Sequence, residues 1–254
     1  MEAKALARRT FNTKQFLNKY AMYLILIALI AVFGLVEPAF FTGRNFVNIL
    51  TAESSRGLLA LGVAFCIISR GIDLSLGSVM AVSSVFSASL VQKLTYSTLI
   101  IPGLVNFPVI PAWVAFLVGI LVGTSFGLIN GLLIAYTKIH PFIATLGSMT
   151  VARGLALLFT NAYPVPMLRE DFTRIGQGTM FGFLPNIVCV FLIVTVVASV
   201  LLNHTRFGKN LYAVGGNVEA ARAAGINVER TLILTYVWSA FCASLAGVMV
   251  TARS

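Results

Sequence analysis

Charge is scarce in this chain of 254 residues: 10% are Asp, Glu, Lys or Arg, with eight acidic residues and two histidines in all. So small a set leaves no convergent group of acids, bases and nucleophiles for a membrane-embedded enzyme. Cysteine is sparse too. Cys66, Cys189 and Cys242 lie in separate apolar runs; they suggest neither a disulfide framework nor metal-ligand spacing, and read as small buried hydrophobes. His140 and His204 have no metal-ligating neighbours in sequence, so no metal or other cofactor is expected. No lysine is followed by Ser or Thr, so the phosphate-binding pattern G-x-x-x-x-G-K-[ST] does not occur. The chain therefore cannot hydrolyse ATP on its own, and any ATP coupling needs a partner. "GQGTMFG", residues 176–182, lacks the glycine spacing of a dinucleotide loop.

Apolar residues are what the chain has in plenty. They make up 58% of it, and mean hydropathy is +0.93, against about 45–50% apolar in an ordinary soluble protein. Several runs approach the ~20 residues that cross a bilayer. The expected fold is all-α: a polytopic membrane helical bundle of about seven spans, at 20–36, 57–69, 76–91, 112–136, 142–160, 187–202 and 231–250. The basic stretch 1–19 precedes the first run as in a signal peptide. No small-residue cleavage pattern follows, so that run is expected to be retained.

The net charge of +10 follows from this architecture rather than from nucleic-acid binding. With the amino terminus in the cytoplasm, alternation puts Lys4, Arg8, Arg9, Lys14, Lys19, Arg70, Lys138, Arg206, Lys209, Arg222 and Arg230 inside. Arg44, Arg56, Lys93, Arg169, Arg174 and Arg253 fall outside, a bias that orientation by flanking charge requires. The basic residues are scattered, with no interleaved aromatics. Residues 161–186 are expected to form an irregular external loop, residues 94–111 an external turn, and residues 203–230 a long internal loop.

"RGIDLSLGS", residues 70–78, interrupts two short apolar runs. If the first run starts earlier, near Phe46, Glu53 and Arg56 join its helix. Gly71 permits a tight reversal, Asp73 or Ser75 can cap the next helix, and Arg70 can pair with Asp73. Capping alone accounts for these residues; a helix discontinuity beside a translocation path accounts for them as well. Ser83, Ser84, Ser87 and Ser89 read as small packing residues at a helix interface. Arg153 lies within the fifth run, where a charge costs about 2.5–3.5 kcal/mol on insertion scales. It either faces the bundle, with donors suited to hydroxyls, or snorkels.

In the long internal loop, Asn217 is a good N-cap, Glu219 suits the positive end of a helix dipole, and Gly225 can end the helix. Between them Ala220, Ala221, Ala223 and Ala224 favour helix with a slim face. A helix so short needs something to dock against. Either the chain's own membrane domain or a partner can supply it.

"GIDLSLGS" resembles "GGIDLSVGS" in the permease subunits of bacterial ATP-binding cassette (ABC) importers for ribose, galactose, xylose and related monosaccharides. "GLINGLLIAYTKIHPFIATLGSMTVARGLAL", residues 127–157, is similar to that family's central spans. "TRFGKNLYAVGGNVEAARAAGINVERT", residues 205–231, is similar to its large cytoplasmic loop. Arg70 departs from a pattern that often has glycine there. The resemblance implies a subunit of the bacterial inner membrane that translocates a monosaccharide. Its partners would be two ATP-binding subunits, a periplasmic sugar-binding protein and a second permease copy or paralogue, all within membrane lipid. It further implies that Asn217, Glu219, Ala220, Ala221, Arg222 and Gly225 form a coupling helix seated on the ATP-binding subunit. Gly71, Asp73, Ser75 and Arg153 become candidates for the translocation path. Family members usually continue into further spans, so the chain is expected to represent about their first three quarters. The competing class, a self-sufficient secondary transporter or channel, predicts ionisable residues in several spans, and only Arg153 clearly qualifies.

Overall fold

The computed structural model describes residues 13–93, 95, 99–106, 108–180 and 182–254. Most of the expected basic tail (Lys4, Arg8 and Arg9) and part of the 94–111 turn lie outside the described residues. The chain divides into two compact units, Met1–Ile49 and Leu50–Ser254. In the first, α1 (Thr13–Val36) is followed by a 3-10 turn, Pro38–Phe41, capped by the Glu37 carboxylate through the Ala39 amide. The helix α2 (Gly43–Ile68) begins in this unit and runs into the second.

The second unit continues with α3 (Leu76–Ser89), α4 (Ala112–Thr137), α5 (Pro141–Phe159) and α6 (Glu170–Gln177). A minimal hairpin of β1 (Thr179–Met180) and β2 (Leu184–Pro185) follows, then α7 (Asn186–His204), α8 (Arg206–Gly216), α9 (Val218–Ala223) and α10 (Val228–Arg253). Among the described residues six helices, α1, α2, α4, α5, α7 and α10, are long and apolar enough to cross a membrane. The helix α3 is not. Its 14 residues span about 21 Å at 1.5 Å per residue, short of the ~30 Å hydrocarbon core. The expected seven spans therefore become six long helices and one short one preceded by a non-helical stretch. The first arm does start early, at Gly43, and carries Glu53 and Arg56 as an ion pair.

Small residues let the helices approach. Gly119, Gly123, Gly127 and Gly131 recur every fourth residue on one stripe of α4. A Cβ on any of them would collide with α10, at Val248, Ser244, Tyr236 and Ile233 in turn. Ser83 and Ser87 of α3, both fully buried, fill the adjoining space. The pairing runs α4 antiparallel to α10 and to α3. Lipid is as apolar as leucine, so close van der Waals packing of this kind is what holds membrane helices together. The helix α10 is the central post: 67% of its most apolar stretch is buried, against 17–33% for α2, α4, α5 and α7. The three cysteines are free and buried, as expected.

The same stripe spells G-x-S-x-G at Gly123–Gly127, the letters of a hydrolase nucleophile elbow. The context excludes that role: the stretch is mid-helix, and the Ser125 hydroxyl is exposed and donates to the Val122 carbonyl one turn back.

Two loop expectations are corrected. Residues 161–186 are not irregular throughout. Glu170 and Asp171 sit in the first turn of α6 and Arg174 in its last, as the helix dipole favours. Phe172 is fully buried against Val91, Ala112, Val248 and Ala252. Residues 203–230 hold two helices, α8 and α9, rather than one. Gln92, 2% exposed, joins the 94–111 and 161–186 connections, donating to Pro166 O and accepting from the Ile100 amide.

Candidate functional site

The break after α2 ends the helix in a Schellman arrangement. The amide of Gly71 donates to Cys66 O at 2.8 Å and that of Arg70 to Ile67 O at 3.0 Å. The left-handed residue is Arg70, at φ 60°, not Gly71. Glycine is the usual occupant of that position, which explains why arginine there departs from the family pattern. Gly71 is needed for a different reason: a Cβ on it would run into the Tyr236 hydroxyl of α10. The expected Arg70–Asp73 pair does not form. Arg70 is exposed and makes no ion pair among the described residues.

Asp73 instead turns inward and is 4% exposed. Its Oδ1 accepts from the Ser75 amide at 3.0 Å and from the Ser75 hydroxyl at 2.6 Å. Its Oδ2 accepts from the Ser239 hydroxyl of α10 at 2.8 Å. Asn130 Nδ2, from α4, donates to Ser75 Oγ at 3.2 Å, and Thr145 Oγ1, from α5, to Ile72 O at 3.3 Å. Three elements, α4, α5 and α10, thus converge on five non-helical residues, 71–75. Ser75 occupies the N-cap position of α3 without a side-chain cap bond, because its hydroxyl is given to Asp73. Two polar atoms here are buried with no hydrogen-bond partner among the described residues: Asn130 Oδ1 and Tyr236 Oη. Sequence reasoning missed Ser239, Asn130, Thr145 and Tyr236. A lone asparagine in an apolar run was a usable signal for Asn130; Ser239 had none, being one small hydroxyl among many.

Arg153 does not join this group. It lies eight residues beyond Thr145 on α5, about 12 Å along the axis, and is exposed with no ion pair among the described residues. His140 caps α5, accepting from the Phe142 amide at 3.4 Å.

At the end of the bundle where α10 begins, α9 is held by its own caps. Asn217 Oδ1 accepts from the Ala220 amide at 3.0 Å. Gly225, at φ 80°, closes a second Schellman arrangement: its amide donates to Arg222 O, and that of Ile226 to Ala221 O, both at 3.0 Å. Ala221 is the buried anchor, packed with Val214 of α8 and Val228 of α10. Asn217, Glu219, Ala220, Arg222 and Gly225 remain exposed. Arg222 bridges Glu219 at 3.3 Å and Glu229 of α10 at 2.9 Å, so the short helix is tied to the start of the central post. Between α9 and the break lies a cavity of about 360 Å³, lined by Ser69, Gly71 and Tyr236 at one side and by Lys138, Glu219 and Arg222 at the other.

A discontinuous span with a buried polar junction, among several helices long and apolar enough to cross a membrane, defines a multi-pass membrane protein with a polar interior. Residues 45–254 match the family described as the permease component of branched-chain amino acid transport systems, and the chain belongs to that family of membrane permeases. It is 35% identical over 254 residues to the D-allose transport system permease protein AlsC of Escherichia coli K12, covering all of this chain and 73% of that one. It is 34% identical over 255 residues to the galactose/methyl galactoside import permease protein MglC of the same strain, covering 98% and 74%. With the ribose import permease protein RbsC of Haemophilus influenzae it shares 35% over 247 residues, 96% and 72%. No solved structure matches the chain at a significant level.

Proposed function

We propose that this chain is the membrane-spanning permease subunit of an ABC importer that carries a monosaccharide across the bacterial inner membrane. The observation that carries the reading is its near full-length similarity to permeases named for allose, galactose and ribose. Two ATP-binding subunits drive it, a periplasmic binding protein delivers the sugar, and a second permease copy or paralogue completes the pathway.

The doubly capped α9 is the coupling helix. Its support is geometric: the alanine face at Ala220, Ala223 and Ala224 is exposed, while Ala221 and the Glu219–Arg222–Glu229 bridge anchor it to α10. A push on α9 reaches α10, and α10 carries Ser239, which holds the break through Asp73. Gly71, Asp73 and Ser75 shape the path. Asn130 Oδ1 and Tyr236 Oη, buried and unpartnered, are the groups left to meet sugar hydroxyls. Arg153 contributes donors farther along α5.

The test is sugar-stimulated ATPase activity of the reconstituted complex with its binding protein, comparing the natural chain with Glu219→Arg/Gly225→Pro. Proline cannot adopt the φ of 80° at that position. Loss of stimulation with membrane insertion intact is the expected result. Unchanged stimulation would make α9 merely structural, and failure to co-purify with any ATP-binding subunit would sink the importer reading.

A further inference from the structure

Two adjoining grooves of opposite chemistry lie where α7 gives way to α8 and α10 begins. One, of about 320 Å³, is lined by Arg206, Asn210, Asn227 and Arg230. The other, of about 450 Å³, is apolar, with Leu201, Val237, Trp238 and Phe241 in its walls. Phe207 and Leu234 line both, so the cationic groove adjoins the apolar one. No acidic side chain lines either groove among the described residues. Glu229, next to Arg230 in sequence, belongs to the other cavity and is taken by Arg222. Neither Arg206 nor Arg230 is in an ion pair among the described residues. The first turn of α8, which starts at Arg206, adds the positive end of a helix dipole.

The apolar groove holds a second anomaly. Trp238 and Thr124 both line it, and among the described residues neither the buried Trp238 Nε1 nor the buried Thr124 Oγ1 has a hydrogen-bond partner. Phe65, stacked on Phe207 at 6.1 Å and tilted on Trp238 at 5.3 Å, fixes the indole in place. Trp238 is eight residues past Arg230 on α10, about 12 Å along the axis, a gap that an extended arginine side chain partly closes.

We propose that these two grooves are one binding site for an anionic phospholipid, with the phosphate held by Arg206 and Arg230 and an acyl chain against Trp238 and Phe241. The paired chemistry selects this occupant. A free phosphate leaves the apolar groove empty, and a zwitterionic lipid brings its own cation to two arginines. The site is independent of which solute the chain carries.

The chain has two tryptophans, so a Trp113→Phe background leaves Trp238 as the sole reporter. In that background, a small fraction of brominated phosphatidylglycerol in phosphatidylcholine vesicles should quench Trp238 more strongly than the same fraction of brominated phosphatidylcholine. The preference should be roughly fivefold per arginine. Arg206→Gln/Arg230→Gln should remove the preference while Arg206→Lys/Arg230→Lys keeps most of it, which separates lost charge from lost fold. Equal quenching by the two lipids overturns the proposal. So does a preference that survives in the glutamine pair, or an absence of quenching by either lipid, which would mean that protein covers the groove. Loss of the preference on adding inorganic phosphate to the vesicles would make the arginines a simple phosphate site and overturn it too.

Discussion

Ser239, in the middle of the central helix α10, donates a 2.8 Å hydrogen bond to Oδ2 of Asp73, a carboxylate buried in the break between α2 and α3. Residues 166 apart in sequence are thereby joined by a hydrogen bond to an acidic side chain, one of the stronger kinds available in a protein interior.

Removing that donor should be costly. Ser239→Ala leaves Oδ2 buried without its partner, and a loss of about 1.5–3 kcal/mol is expected for a hydrogen bond to a charged group. Thermal unfolding in detergent, run as a cycle with Asp73→Asn, measures the coupling. If the two losses add within about 0.3–0.5 kcal/mol, the pair is not energetically linked.

Gly71→Ala should destabilise by about 1–3 kcal/mol, the usual range for overpacking, because its Cβ meets the Tyr236 hydroxyl. The same substitution in a Tyr236→Phe background should be far milder. Tyr236→Phe alone removes a buried hydroxyl with no partner, and is expected to leave stability unchanged or raised. A Gly71→Ala defect indifferent to residue 236 would contradict the steric account.

Arg70 is the reverse case. Its φ of 60° costs an L-residue roughly 1–2 kcal/mol relative to glycine. The greater chain entropy of unfolded glycine returns about 0.4–1 kcal/mol of that. Arg70→Gly should therefore raise the unfolding temperature modestly, and Arg70→Ala, which keeps the Cβ, should not.

Glycines on two helices should behave oppositely. At Gly127 of α4 a Cβ would strike the Tyr236 carbonyl, whereas at Gly147 of α5 nothing lies within 4 Å. Gly127→Ala is expected to reduce the folded yield in membranes. Gly147→Ala should be neutral or gain up to about 1 kcal/mol from helix propensity. Equal effects on the recovery of monodisperse protein would argue against the α4–α10 packing described.

Acid should act through α6. The Arg169 guanidinium, bonded to Asp171 at 3.0 and 2.6 Å, holds that carboxyl below its usual range. A depressed carboxyl contributes stability that is present above the unfolded value, about 3.9 for Asp, and fades as pH falls through the lower folded value. Arg169→Gln should flatten this part of the pH–stability curve. The Asp171 side chain is half exposed, so the effect is small. An unchanged acid limb would show that the pair contributes nothing.

What could be read before the fold was known follows the range of the forces involved. Composition and run length announce a helical membrane bundle because each backbone must satisfy itself within lipid. The ends of α9 were equally legible: Asn217 bonds three residues on and Gly225 closes on residues just behind it. The helix α6 was hidden because what stabilises it is Phe172 packing against α4 and α10. The direction of Ala221 was hidden too, since an alanine-rich turn has no preferred face until Val214 and Val228 supply one.

The sequence by itself determined that the chain crosses a membrane, that a polar break interrupts its helices at residues 70–75, and where α9 begins and ends. Each of these rests on hydropathy summed over a run or on bonds spanning a few residues. Only the tertiary structure decided that Asp73 answers to Ser239 and Ser75 rather than to Arg70, that Arg70 takes the left-handed turn, and that Gly71 makes room for Tyr236. Those outcomes depend on which helices lie side by side, and that was settled by the glycine stripe of α4 meeting α10 across more than a hundred residues of chain.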